Sequence, residues 1–154
     1  MGDAGPRRQA REAALQVLYA ADATGRLSSE EIPSVFREIS QEFALPRRAR
    51  ERAERLCLGV IENLERIDDA IASASPNWKL HRLATVDRNV LRIAAFELVF
   101  EDWTPGEVII DEAVEVVRRY SDESSFAFVN GVLETLWRRE REQVRGSPER
   151  GGVT

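Results

Sequence analysis

The chain has 154 residues, 43% apolar and 32% charged, enough to bury one substantial core as a single self-folding domain. Its net charge of −5, from 27 acidic and 22 basic side chains, excludes an overall positive field as the basis of nucleic-acid binding, so any such site is a local patch. The single Cys57 and single His81 exclude an intramolecular disulfide and a structural zinc set, and fit a reducing compartment.

The N-terminal stretch "MGDAGPRRQAR" runs into an amphipathic segment without the apolar core of a signal peptide. With no apolar run long enough to span a bilayer, a cytoplasmic location and no membrane partner are expected. Of the basic residues only Lys79 is lysine. An arginine excess reflects either phosphate recognition by the guanidinium fork or the composition bias of a GC-rich genome, so arginines count by position rather than number.

Pro6 suits the first turn of a helix, and from Ala10 the residues Ala14, Val17 and Ala21 form one apolar face that ends before Gly25. "RLSSEEIP" offers a serine cap and Pro33 as a starter for a second helix, with Val35, Phe36, Ile39 and Phe43 as its buried stripe and Leu45-Pro46 as its stop. Pro46 opens a third helix, charged through "RRARERAER" and apolar through "LCLGVIENL"; "LERIDDAIASA" gives a fourth before Pro76. "NWKLHRL" connects it to "ATVDRNVLRIAAFELVF", whose apolar residues surround most of the circumference, the pattern of a central helix. "TPGE" then reads as a Thr-x-x-Glu capping box, with Ile110, Ala113, Val114, Val117 and Tyr120 as the following stripe.

The final segment contains "FVNG". Asn130-Gly131 between apolar residues is a strong two-residue hairpin signal, but Phe126, Val129, Val132, Leu133, Leu136 and Trp137 recur at helical spacing. No other strand-like segment exists to pair with a hairpin, and an isolated ribbon is marginal in water. The expected fold is therefore all-α, with seven helices, no sheet, and short connections that suit a compact bundle or two packed subdomains. Residues 1–145 are expected to form one domain opening with a basic arm at 1–11, and residues 146–154, "GSPERGGVT", a disordered tail.

Three stretches in this order, "RRQAREAALQVLYAAD", "ATVDRNVLRIAAFEL" with "VIIDEAVEVVRRY", and "FVNGVLE", closely resemble the NusB family of bacterial transcription antitermination factors, over about Arg7 to Trp137. The resemblance implies two small helical bundles packed together. It also implies a non-catalytic protein without cofactor or metal that binds boxA-type single-stranded RNA jointly with NusE, a small-subunit ribosomal protein. The complex then joins other Nus factors on RNA polymerase and suppresses termination, notably in ribosomal RNA operons.

At about 100° per residue, Arg8, Arg11, Leu15 and Tyr19 fall on one side of the first helix, and Ala10, Ala14, Val17 and Ala21 on another. Exposed arginines at a helix start add their charge to unpaired N–H groups and the helix dipole. With the resemblance, Arg7, Arg8 and Arg11 are expected to contact the RNA backbone and Tyr19 to offer a stacking surface; the alternative is a solvated arm and a core tyrosine. Gln9 stands where the family often carries a further basic residue.

Gly131 suggests a close backbone approach, by a helix or by RNA. Phe128 is either core or, as the resemblance implies, available to an RNA base, with Asn130 beside it as a hydrogen-bonding group. Arg118 and Arg119, before the loop "SDESS", would add cationic contacts; the family's acid near Ser124 and base at Ala127 are missing. Asp87, Arg88 and Arg92 form either a solvated stripe of the central helix or, by resemblance, part of the NusE surface, while Glu112 reads as a surface charge. Cys57 reads as a small buried hydrophobe, and His81 has no catalytic partner in sequence. No nucleophile constellation or Gly-rich phosphate loop is evident.

Two other functions compete. One is a helical protein-interaction module that has lost RNA binding. The other is a relative of the NusB-like domain that precedes ribosomal RNA cytosine methyltransferases, an enzyme type that needs an α/β nucleotide-binding domain and a catalytic cysteine absent from this sequence.

Overall fold

The computed structural model describes residues 4–75, 82–101 and 103–145. Lys79, His81 and the expected tail at 146–154 lie outside them. Seven helices and no strand occur among the described residues: α1 (Ala4–Ala23), α2 (Ile32–Ser40), α3 (Arg47–Glu62), α4 (Leu64–Ala74), α5 (Thr85–Phe100), α6 (Gly106–Tyr120) and α7 (Glu123–Arg145). None of them is long and apolar enough to cross a membrane.

The stretch expected as a basic arm is, from Ala4 onward, the opening of α1. Its alanines explain why it sits deep. Ala10, Ala13, Ala14 and Ala21 are buried with Val17 and Leu18, and their small side chains let α1 pack against α2, α3 and α5 together. That three-sided packing also buries Leu15, which sequence spacing put on the outward side with Arg8 and Tyr19. Two residues beyond the end of α1, Gly25, with a φ of 73°, carries a left-handed C-terminal turn. The Arg26 N–H donates to Ala21 O at 2.7 Å and the Gly25 N–H to Asp22 O at 3.4 Å, the paired bonds of a Schellman motif.

α2 stops at Ser40 rather than at Leu45, and Ser28 acts one turn before it, where its Oγ accepts from the Glu31 N–H at 3.2 Å. Pro46 directly precedes α3 as expected. At the α3–α4 joint the Asn63 side-chain amide donates to Gly59 O at 2.8 Å, beside the helical bond that the Asn63 N–H makes to the same carbonyl at 3.2 Å.

Helices α1–α3 form one small bundle and α4–α7 a second, with α5 in contact with α1, α3, α4, α6 and α7. In α5 every residue from Asp87 to Leu98 except Arg88 is buried, which is why its apolar residues occupy most of the circumference. Leu18, Leu56 and Val60 fill the first bundle, and Ile67, Ile71, Leu91, Val117, Val129 and Leu133 the second. Each of the larger fully buried side chains contributes roughly 2 kcal/mol.

The Thr104–Glu107 capping box does not form. α6 begins at Gly106 with Pro105 in the N-cap position, so Thr104 lies one residue too early to cap it, and the Trp137 indole of α7 packs directly against Gly106. α7 runs unbroken through Asn130 and Gly131, as its apolar spacing requires. Of the two approaches expected at Gly131, that by a helix is absent: the glycine is exposed and, among the described residues, nothing lies within 4 Å of where a Cβ would be. The tight contact is at Gly59, where a Cβ would overlap the Phe96 ring of α5.

Two substitutions separate these glycines. Gly59→Ala should destabilise the protein by about 2 kcal/mol through overpacking against Phe96, whereas Gly131→Ala should stabilise it by up to about 1 kcal/mol. Urea denaturation of both variants measures the difference, and a destabilised Gly131→Ala would contradict the open surface at that site.

Candidate nucleic-acid interface

The arginines of α1 divide between three environments. Arg8 turns toward α6, where its Nε and Nη2 donate to Glu112 Oε1 and Oε2 at 3.1 and 2.7 Å. This fork raises the Arg8 pKa and holds the Glu112 carboxyl below its ordinary value, first through the hydrogen bond and then through charge. Glu112 is therefore an anchor rather than the plain surface charge expected. One turn along, Glu12 accepts from Arg119 Nη1 at 3.1 Å, and two turns further on the same face Tyr19 stands 44% exposed. Arg8, Tyr19 and Arg119 thus share one surface although Arg8 and Arg119 lie at opposite ends of the sequence.

Arg118 adjoins this surface, paired with Glu115 at 3.2 Å and lying 4.5 Å from the centroid of the Phe126 ring. Arg118, Ser121, Asp122, Glu123 and Phe126 line a depression of about 210 Å³. Asp122 caps α7: its Oδ1 accepts from the Ser125 N–H at 3.0 Å and the Ser124 hydroxyl at 2.8 Å, and these bonds lower its pKa. Phe128 is half-buried and packs against the core, and Asn130 is half-buried two residues along the same helix. The two therefore point in different directions.

Arg11 turns inward and does not join Arg8. Its Nε and Nη2 donate to Glu97 Oε2 and Oε1, both at 2.8 Å, with Glu97 almost wholly buried. Arg52 of α3 reaches the same carboxylate at 3.3 Å and makes a closer fork to Glu101 at 2.6 and 2.9 Å. The expectation that the basic face of α1 stays clear of the core fails at Arg11, because α5 lies on that side.

Asp87, Arg88 and Arg92, read as either a solvated stripe or part of a NusE surface, form an internal network that rules out the solvated stripe. Arg92 forks onto Asp68 of α4 at 2.9 and 3.0 Å and donates to Asp22 of α1 at 3.0 Å. Arg88 and Asn89 also donate to Asp22, at 2.8 and 2.9 Å. Asp87 accepts from the Ser121 hydroxyl at 2.7 Å, which ties α5 to the α6–α7 corner. Burial opposes ionisation of Asp22, but the bonds from Arg88 and Asn89 and the charge of Arg92 outweigh it and hold its carboxyl below the ordinary 3.8.

Sequence reasoning missed the acids Asp22, Asp68, Glu97 and Glu101 as partners of these arginines. Their only local signal is that Glu97 interrupts an otherwise apolar run of the central helix. Cys57 is buried as expected, with burial and Glu54 pushing its thiol pKa upward, which leaves it inert as a nucleophile. Among the described residues no His, Cys, Asp and Glu group is arranged to hold a metal ion.

The NusB family profile matches residues 8–138. The transcription antitermination protein NusB of Sorangium cellulosum is 45% identical over 132 residues, covering 86% of this chain and 91% of that protein. The protein of the same name from Trichlorobacter lovleyi is 41% identical over 145 residues, 94% of this chain and 99% of that one. Among solved structures, Thermotoga maritima NusB superposes with a TM-score of 0.79 at 39% identity, over 90% of this chain and 96% of the other. A chain in the crystal structure of antitermination factors NusB and NusE in complex with double-stranded RNA gives 0.78 at 31% identity, over 87% and 97%.

The internal ion pairs carry two expected outcomes. Arg11→Ala, which leaves Glu97 with only the longer bond from Arg52, should cost about 3 kcal/mol of stability in chemical denaturation. Asp22→Asn should cost about 2 kcal/mol at neutral pH. An aspartate with a depressed native pKa contributes stability in full above its unfolded value and loses it as pH falls through the native one. The gap between wild type and Asp22→Asn should therefore be constant above about pH 5 and close below 3.8 in pH-dependent thermal melts.

Proposed function

The chain belongs to the NusB family, and from that premise we propose that it is a non-catalytic, cytoplasmic RNA-binding antitermination factor. It binds boxA-type RNA jointly with NusE and, through other Nus factors, acts on RNA polymerase during transcription of ribosomal RNA operons. Residues 1–145 serve as one RNA-binding domain. The observation that carries this reading is the surface shared by Arg8, Tyr19 and Arg119, which combines fixed guanidiniums with an exposed aromatic ring.

Arg7, Arg8, Arg118 and Arg119 supply phosphate contacts, and Tyr19 stacks on an unstacked base. Phe128 offers the uncovered part of a half-buried ring seated against the core, and Asn130 a hydrogen-bonding group from another side of α7. Arg11 acts indirectly, by fixing the direction of α1. In the same way Asp87, Arg88 and Arg92 set the NusE side of the molecule from within, holding α1, α4 and the α6–α7 corner to the start of α5.

Joint binding follows from two adjoining surfaces on one RNA, each raising the effective concentration of the other. A protein-interaction module with weak RNA binding is the second reading, favoured by the carboxylate pairing of Arg8 and Arg119, which an incoming phosphate must displace.

Fluorescence anisotropy with labelled boxA RNA, with and without NusE, separates the two. The proposed function predicts tighter binding when NusE is present. Arg8→Ala should weaken binding several-fold and lower the slope of log affinity against log salt by about 0.7, while the protein stays folded. RNA affinity unchanged by NusE and by Arg8→Ala would favour the interaction module.

A further inference from the structure

The third arginine of the α1 opening, Arg7, looks away from the Arg8 surface. It lines a cleft of about 250 Å³ between the start of α1, the first turns of α3 and the α5–α6 connection, with Pro6, Arg11, Arg48, Arg52 and Trp103 among its walls. Trp103 is 56% exposed, an unusual placement for an indole that serves only packing. It is nonetheless held in place: the guanidiniums of Arg52 and Arg55 lie 4.9 and 4.7 Å from its ring centroid, and Arg52 is itself locked by its fork to Glu101.

The charges in the cleft are of two kinds. Arg11 and Arg52 are neutralised by Glu97 and Glu101. Arg7 and Arg48, both exposed, have no ion pair or hydrogen bond among the described residues, and the acid beside them, Glu51, pairs with Arg47 at 3.4 Å. Two uncommitted guanidiniums next to an anchored, exposed indole match a ligand with anionic groups and a flat aromatic one. A simple anion leaves the indole unused, and an apolar segment leaves the two charges unmet.

We propose that this cleft binds one unstacked nucleotide of single-stranded RNA, its phosphates on Arg7 and Arg48 and its base against Trp103. The site deepens the proposed function and rests on it, because RNA crossing the Arg8 surface reaches the cleft by passing round the start of α1.

The test compares boxA RNA with the same RNA carrying a short oligouridine extension at either end, by anisotropy against wild type, Trp103→Ala, Trp103→Phe and Arg48→Ala, each checked for folding by circular dichroism. One extended RNA should bind wild type about tenfold more tightly than the unextended one, the scale of a single base stacked on an aromatic ring. That gain should vanish in Trp103→Ala, shrink in Arg48→Ala and persist in Trp103→Phe, while all four proteins bind the unextended RNA equally.

Failure of both extensions to tighten binding, or a gain indifferent to Trp103→Ala, overturns the cleft and leaves the proposed function standing. An extended RNA that binds through Trp103 while unextended boxA RNA is not bound supports the cleft and overturns the Arg8 surface. Binding of neither overturns both. Polyglutamate that competes as well as oligouridine would reduce the cleft to an anion site and overturn the base assignment.

Discussion

The Glu97 carboxylate sits almost wholly out of water, in the middle of the central helix, and is met there by guanidiniums from two other helices, Arg11 of α1 and Arg52 of α3. Isolating such a charge costs several kcal/mol, and only close, multiple hydrogen bonds offset it. The bonds at 2.8 Å from Arg11 meet that demand and in doing so fix the rotation of α1 about its axis. With Arg11 turned inward, helical geometry leaves Arg8 to α6 and Arg7 to the α3 side. The directions taken by the three arginines of α1 follow from one buried acid.

At the other end of α1 the Asp22 network plays a related part, joining α1 to α5 and, through Arg92 and Asp68, to α4. Replacing such clusters by well-packed apolar side chains is often neutral or stabilising in other proteins. What ionic contacts add is direction: a guanidinium fork accepts a carboxylate in one plane, whereas apolar faces slide past one another at little cost. Two bundles packed on a mostly apolar central helix gain a unique register from Glu97 and Asp22 that Ala94, Ala95 and Leu98 alone do not dictate.

The helices were legible because their signals are local. Pro46 before α3, the apolar spacing of α6 and the near-continuous apolar surface of α5 each depend on a few consecutive residues, and all three hold except at Tyr120, which ends the α6 stripe 58% exposed because no described helix covers it there. Where the reading failed, a partner distant in sequence decided the outcome. Thr104 has the spacing of a capping residue, but α6 starts one residue later, where Trp137 packs against Gly106. Leu15 and Arg11 share the spacing of an outward face, but α5 covers it. The exposed residues Arg8, Tyr19, Arg118 and Arg119 could be picked out by type and position, and their common surface became visible only once α1 and α6 were side by side. The pairing of Arg88 and Arg92 with Asp22 was invisible, since no spacing rule links an acid at the end of the first helix to arginines of the fifth.

Asn130-Gly131 shows the same contest settled by magnitude. An interior helical glycine costs about 1 kcal/mol relative to alanine, and the hairpin alternative would remove even that. But Val129, Val132, Leu133 and Leu136 are all buried on one face of α7, and at roughly 2 kcal/mol for each side chain their burial exceeds the local penalty several times over. A two-residue turn would send alternate residues to opposite faces and expose about half of that set. The helix persists for that reason, with its backbone bare at Gly131 and nothing among the described residues covering it. The glycine therefore answers to no packing demand among the described residues, and what its missing side chain leaves open there is access to α7.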